Sequence, residues 1–406
     1  MASALDRMLL EKTQRRACRL LFVLGCVLPT LAVAGYTARW LDPGYRTSLL
    51  SSAAELLGVG IDCDALTTPR PGVYLLDGVR LSDTLGEPLV TCDTLNLQLE
   101  ADRWWFVASR VNVIGPEGTS GVLSRLIDSD LAVSGNFRDL RLDASTTLSK
   151  GSASLGVDSK GQRRLGLTTE DGVRFDAVRD ERSSRVVADC ATHTIPAAWL
   201  PGRPLQPFDE NGSRFSGRFV AELPRDGSAA SGAASGHLEV ESLATPQLEA
   251  SHGSVAISDL AWGRGRLVRF FGQLDLRDGQ MSRPLVYGAC CHLAMEPLGK
   301  MEAQYAAPTK HAWFPFTQLA CDVELDADGI VLVAGCGEID GQRRGGAVAH
   351  AIVEYEGVAL LREPRSKTPL PTQRLVNAWH PDDPAELPAT AAAIRMANRL
   401  PAASTR

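Results

Sequence analysis

"VTCDTLNLQLEADRWW", residues 90–105, decides the fold class. Leu95, Leu97 and Leu99 alternate with Asn96, Gln98 and Glu100. Successive side chains of a strand point to opposite faces, so this run has one dry face and one wet face. The dry face is either an ordinary protein core or a lining kept apolar to carry something apolar.

The same period extends in both directions. In "GVYLLDGVRLSD" (72–83), Val73, Leu75, Val79 and Leu81 share one parity. Alternating runs follow as "FRDLRLDA" (137–144), "GRFVAELP" (217–224), "GHLEVESL" (236–243), "GSVAISDL" (253–260), "FGQLDLRD" (271–278) and "ACDVELDA" (320–327). Hairpin-turn dipeptides begin at Asp171, Asp226, Asp278, Asp328, Asp340 and Asn211. The pattern predicts a mainly β chain of roughly 15–20 strands, mostly antiparallel because the turns are short.

Composition agrees. The chain has 406 residues, 44% hydrophobic and 22% charged, in the globular range. Its 37 glycines and 23 prolines suit many turns. A net charge of -6 argues against nucleic acid as a partner.

The N-terminus differs. "LLFVLGCVLPTLAVAGYTA" (20–38) carries no charge. As a helix it would rise about 28 Å, close to the hydrocarbon thickness of a bilayer. Arg15, Arg16 and Arg19 precede it and Trp40 follows, which predicts a single-pass anchor with residues 1–19 in the cytoplasm. The competing reading is a signal peptide cleaved after Ala32-Val33-Ala34. Residues 43–58 read as a short helix closed by Gly58, residues 59–361 as the β body, and 362–406 as a Pro- and Ala-rich tail with one short helix.

Chemistry-bearing motifs are sparse. The sequence holds no phosphate loop, H-E-x-x-H or G-x-S-x-G. Nine cysteines include no C-x-x-C pair, and Cys321 and Cys336, on neighbouring strands, are a pair able to bridge. "CCH" (290–292) is the most reactive triplet, but read as a strand it sends Cys291 and His292 to opposite faces. "HPDDP" (380–384) is a calcium-type cluster or a solvated loop; "WGRGRLVRF" (262–270) is a headgroup contact or a charged strand face. Trp104 and Trp105 in "DRWWF" (102–106) are an interfacial or groove-lip pair, or packed core or edge aromatics. No catalytic, cofactor-binding or metal residue is assigned.

From the anchor to about residue 123 the order of segments resembles the N-terminal region of AsmA-like proteins. The resemblance rests on Leu57, Gly58 and Ile61, then the strand from Asp77 to Asp83, the alternating strand after it, and the strand Val111 to Pro116 closing on Gly-Pro. "FTQLACDVELDADGIVLVAGC" (316–336) is similar to the C-terminal strand pair of that group. The resemblance implies an elongated antiparallel sheet curled into an open β-groove behind a transmembrane helix and a short amphipathic helix. It also implies attachment to the inner membrane of a bacterium with two membranes, with a periplasmic body. Its relatives in style, TamB-like and chorein-type proteins, are thought to hold phospholipid acyl chains and to move lipid or support outer-membrane assembly. The expected groove lining is Val73, Leu75, Val79, Leu81, Leu95, Leu97 and Leu99. The expected partners are phospholipid acyl chains, the inner membrane and other envelope proteins, without cofactor or catalysis. Each buried methylene contributes about 0.8 kcal/mol, so such a groove needs no specific polar contact. Two other readings stand beside it: a β-sandwich with a structural or protein-binding role, and an exported enzyme using Cys291 or His292.

Overall fold

The computed structural model describes residues 19–41, 43–83, 85–114, 122–123, 126–142, 146–180, 183–191, 193–196, 213–224, 231–299, 313–339, 342–343, 348–379 and 391–402. Arg15, Arg16 and the "HPDDP" stretch lie outside these residues.

Residues 19–41 are helical throughout, with a π-helical segment, Val23–Val27, leading directly into α1 (Leu28–Leu41). Among the described residues no helix is long and apolar enough to cross a membrane. Arg19 is exposed at the start of this segment, and Trp40 falls in the last turn of α1. Next comes α2 (Pro43–Leu57), which ends as expected at Gly58, with φ +61° and the Val59 amide donating to the Ala54 carbonyl at 3.1 Å.

The β body begins with β1 (Gly60–Asp62), β2 (Ala65–Arg70), β3 (Val73–Ser82), β4 (Pro88–Glu100) and β5 (Arg103–Val113). Then follow β6 (Val133–Arg141), β7 (Thr147–Val157), β8 (Arg163–Thr169), β9 (Arg174–Arg179) and β10 (Ser183–Asp189). The third group is β11 (Ile195–Pro196), β12 (Arg214–Pro224), β13 (Ser231–Ala244), β14 (Leu248–Gly263) and β15 (Arg266–Ser282). The last is β16 (Glu296–Pro297), β17 (Trp313–Asp326), β18 (Gly329–Ala334), the small pair β19 (Glu338–Ile339) and β20 (Gln342–Arg343), β21 (Ala351–Tyr355) and β22 (Val358–Arg362). Among the described residues, 20 of these strands form one sheet.

Strands pair mostly with their sequence neighbours, from β2–β3 through to β15–β17, then β17–β21, β21–β22 and β22–β16. About 17 strands lie between the two edges, roughly 75 Å if flat. No described pairing joins the edges, so the sheet is open. It is mixed rather than wholly antiparallel: β5 and β6 run parallel. A parallel step needs a crossover of a dozen or more residues, and 114–132 supply it.

The sheet curls. β7 and β12 are four steps apart, about 19 Å in a flat sheet. Yet Arg214 at the start of β12 donates to the Thr146 hydroxyl beside β7 at 2.8 Å, across the short strands β8–β10. The inner face forms one apolar cluster that includes Leu76, Phe137, Leu148, Phe219, Leu238, Leu276, Phe316 and Leu361.

Three helices cap one end: α3 (Arg283–His292), α4 (Thr372–Trp379) and α5 (Ala391–Arg399). The "CCH" triplet therefore ends a helix instead of lying in a strand. The Ser282 hydroxyl accepts from the Leu285 amide, and Pro284 occupies the first turn, both start signals for a helix. The tail holds two helices where one was expected. Asp278-Gly279 is no hairpin turn either: it lies inside β15, and Arg264-Gly265 joins β14 to β15. Asp171-Gly172 and Asp328-Gly329 do join consecutive strands.

Candidate apolar binding face

The dry face is built by alternation, but the alternation switches once. At Gly78 the backbone of β3 takes φ +60°. Tyr74 and Leu76 face inward before this kink, and Val79 and Leu81 after it. Aligned kinks run through the neighbours in register: Asp93 in β4, Arg110 (φ +49°) in β5, Asp139 (φ +55°) in β6 and Ser149 in β7. Each strand carries one extra residue at this level, so its inward parity changes there.

The kink sorts the expected lining residues. Val79, Leu81, Leu95 and Leu97 belong to the inner cluster. Leu99 shares the parity of Leu95 and Leu97 and is 44% exposed. Val73 and Leu75 are a correction, since they lie on the opposite face from Leu76, across from the polar alternates Gln98 and Asn96. Their odd numbering misled because one glycine reverses the parity between them and Val79.

The inner face is not uniformly covered. Ala221 and Leu276 are 0% exposed, so its middle is filled by protein. Toward the β4–β5 turn, Tyr74, Leu95, Leu97, Trp104 and Phe106 are only half-buried, and Leu99 is open. Tyr74 and Trp104 rings lie 5.9 Å apart at this mouth. Trp105 is on the outer face, 43% exposed, so the tryptophan pair is split between faces. Tyr74, Leu76 and Phe106 escaped the sequence reading, whereas Trp104 was named there. The signal for them was a lone glycine in a strand, which often marks a bulge.

Beside the mouth the crossover lies over the inner face. Its Ile127 is buried against Leu155, Leu165 and Ala177. Arg163 of β8 donates to the carbonyls of Ile127 (3.1 Å), Leu131 (2.9 Å) and Ser129. Arg179 of β9 pairs with the Asp128 carboxylate and donates from Nε to the Ser184 hydroxyl at 2.8 Å.

The outer face is polar. A depression of about 680 Å³ is lined by Glu239, Glu241, His252, Asp275, Arg277 and Asp278, among others. Its arginine is paired within the depression. Arg277 makes two bonds to Asp275, at 2.8 and 2.9 Å, and Gln318 donates to the same carboxylate at 3.0 Å.

The reactive-looking residues do not converge. Cys290 is half-buried, with its thiol pushed up to about 11 by burial, and Cys291 is exposed. Cys321 and Cys336 remain thiols. Cys321 belongs to the inner cluster, whereas Cys336 packs with Ala320, Ala351 and Ala359 on the outer side, so the two are buried and unbridged. Burial pushes both up to about 12, which makes them poor nucleophiles. Trp262 is buried, and Arg269 pairs with Asp259 at 2.6 Å. Among the described residues no group of three His, Cys, Asp or Glu is placed to hold a metal ion. Compared with known proteins, the chain matches no family model, no curated protein and no solved structure.

Proposed function

We propose that this chain is a non-catalytic cell-envelope protein whose inner face holds apolar chains, such as phospholipid acyl tails, and takes part in moving lipid or in outer-membrane assembly. One observation carries the reading. A single apolar face crosses an open sheet and passes from fully buried at Leu276 to half-open at Leu97, Leu99 and Trp104. The N-terminal helical segment supports a lipid surface as neighbour, because Leu20, Leu21, Phe22, Leu31 and Val33 are each more than half exposed. The segment order shared with AsmA-like proteins supports the inner membrane, with the body on its periplasmic side. The test is purification of the whole chain in mild detergent, followed by mass spectrometry of bound lipid. Phospholipid at stoichiometric level is expected, and repeated recovery of lipid-free protein overturns the reading.

The full burial of Ala221, Phe219 and Leu276 by neighbouring protein side chains favours a second reading, a self-filled β-sandwich that binds another envelope protein. Leu97→Asp separates the two. A lipid mouth would lose lipid and keep its fold; a packed core would lose its cooperative unfolding transition.

A further inference from the structure

We propose that Arg163 and Arg179 form a seat for a phosphate group borne by an apolar-chain ligand, and that the Asp128 carboxylate is its resident stand-in. The inference rests on the acyl-chain reading and names the head of the ligand.

Arg163 and Arg179 are directly opposite each other in the β8–β9 ladder. Two residues further along the same face, Leu165 opposes Ala177, and both belong to the apolar cluster under Ile127. Like charges placed opposite each other on a sheet repel. Here the Asp128 carboxylate pairs with Arg179, and Arg163 donates to the Ile127, Ser129 and Leu131 carbonyls on either side of it in sequence.

The seat is oriented and reachable. The Arg179 side chain is 5% exposed, and the Ser184 hydroxyl fixes its Nε. Asp128 is 48% exposed on its other side, so solvent reaches the anion position. A guanidinium presents a planar fork of donors that suits phosphate oxygens better than a single carboxylate oxygen. An alkyl chain attached to that phosphate would take the place of Ile127 over Leu155, Leu165 and Ala177, as the phosphate takes that of Asp128.

The experiment compares dodecyl phosphate below its micellar concentration, dodecanol and inorganic phosphate, by calorimetry on the whole chain. Wild type is expected to bind dodecyl phosphate about tenfold tighter than dodecanol, consistent with a charge-assisted contact. Asp128→Asn should tighten dodecyl phosphate several-fold, a gain that misfolding cannot produce. Arg179→Met should abolish the advantage of the phosphate and leave dodecanol binding unchanged. Equal binding of dodecyl phosphate and dodecanol by wild type overturns the seat and leaves the apolar face standing. Inorganic phosphate binding as tightly as dodecyl phosphate overturns the link to an apolar chain. Failure of both dodecyl compounds to bind overturns the acyl-chain reading itself.

Discussion

At Gly78 the β3 backbone takes φ +60°, and a Cβ there would stand 2.0 Å from an Asp64 carboxylate oxygen. A side chain in this region costs roughly 1–2 kcal/mol. Gly78→Ala should therefore lower stability by about that much in urea unfolding, with an unchanged m-value. Glu363 supplies a residue-scale prediction about acid. Burial acts to raise its pKa, but the Ala334 amide at 2.9 Å and His350 at 2.6 Å outweigh it and hold the carboxyl below its ordinary value. A depressed carboxyl stabilises the fold above the ordinary glutamate pKa, and that contribution is lost as pH falls through the folded value. The melting temperature should thus drop on acidification below about pH 5, and Glu363→Gln should flatten that slope.

Among the elements, α3 and α4 test how the cap is joined. Gly288 lets the helices approach so closely that a Cβ would lie 2.2 Å from the Ala378 carbonyl oxygen. The obstacle is backbone and cannot swing away. Gly288→Val should cost about 1–3 kcal/mol and should raise amide exchange in Thr372–Trp379 before the strands are affected. This helix also marks where the sequence stopped being legible. Leu95, Leu97 and Leu99 announce a strand because a period of two has no other physical source over that length. Residues 283–292 carry no strong period, and their helix is specified by a serine cap, an early proline and a partner nearly ninety residues away. The reversal at Gly78 was hidden for a related reason. Parity arguments hold only while every residue in a strand is extended, and Arg110 and Asp139, at positive φ, look like ordinary polar alternates. The curl was invisible too, since it depends on Arg214 meeting Thr146 across three strands. Half of the candidate face was readable for these reasons, and its arginine rim was not.

For the whole molecule, the contrast between a filled middle and a half-open mouth becomes a map of stability. Leu276→Ala removes a side chain that is 0% exposed and should cost about 2–5 kcal/mol in chemical denaturation. Leu99→Ala, at 44% exposure, should cost less than about 1 kcal/mol. Equal costs would mean that the mouth is as tightly packed as the centre. The two edges of the sheet also differ. At the C-terminal side, the Ile330 and Leu370 backbones exchange bonds of 2.7 and 2.9 Å, and Leu298 donates to the Leu360 carbonyl at 3.0 Å. At the N-terminal side, Arg46 reaches the Cys63 and Asp64 carbonyls between β1 and β2, and Pro69 withholds a donor from β2.

The shared level of Gly78, Asp93, Arg110, Asp139 and Ser149 has a hereditary consequence. Deleting one of these residues would restore ordinary alternation in its own strand and turn half of that strand inside out against neighbours that still carry the extra residue. Gains and losses of single residues here are tolerable only as a set of five, so the lengths of β3 through β7 should drift together over descent while the adjoining turns vary freely.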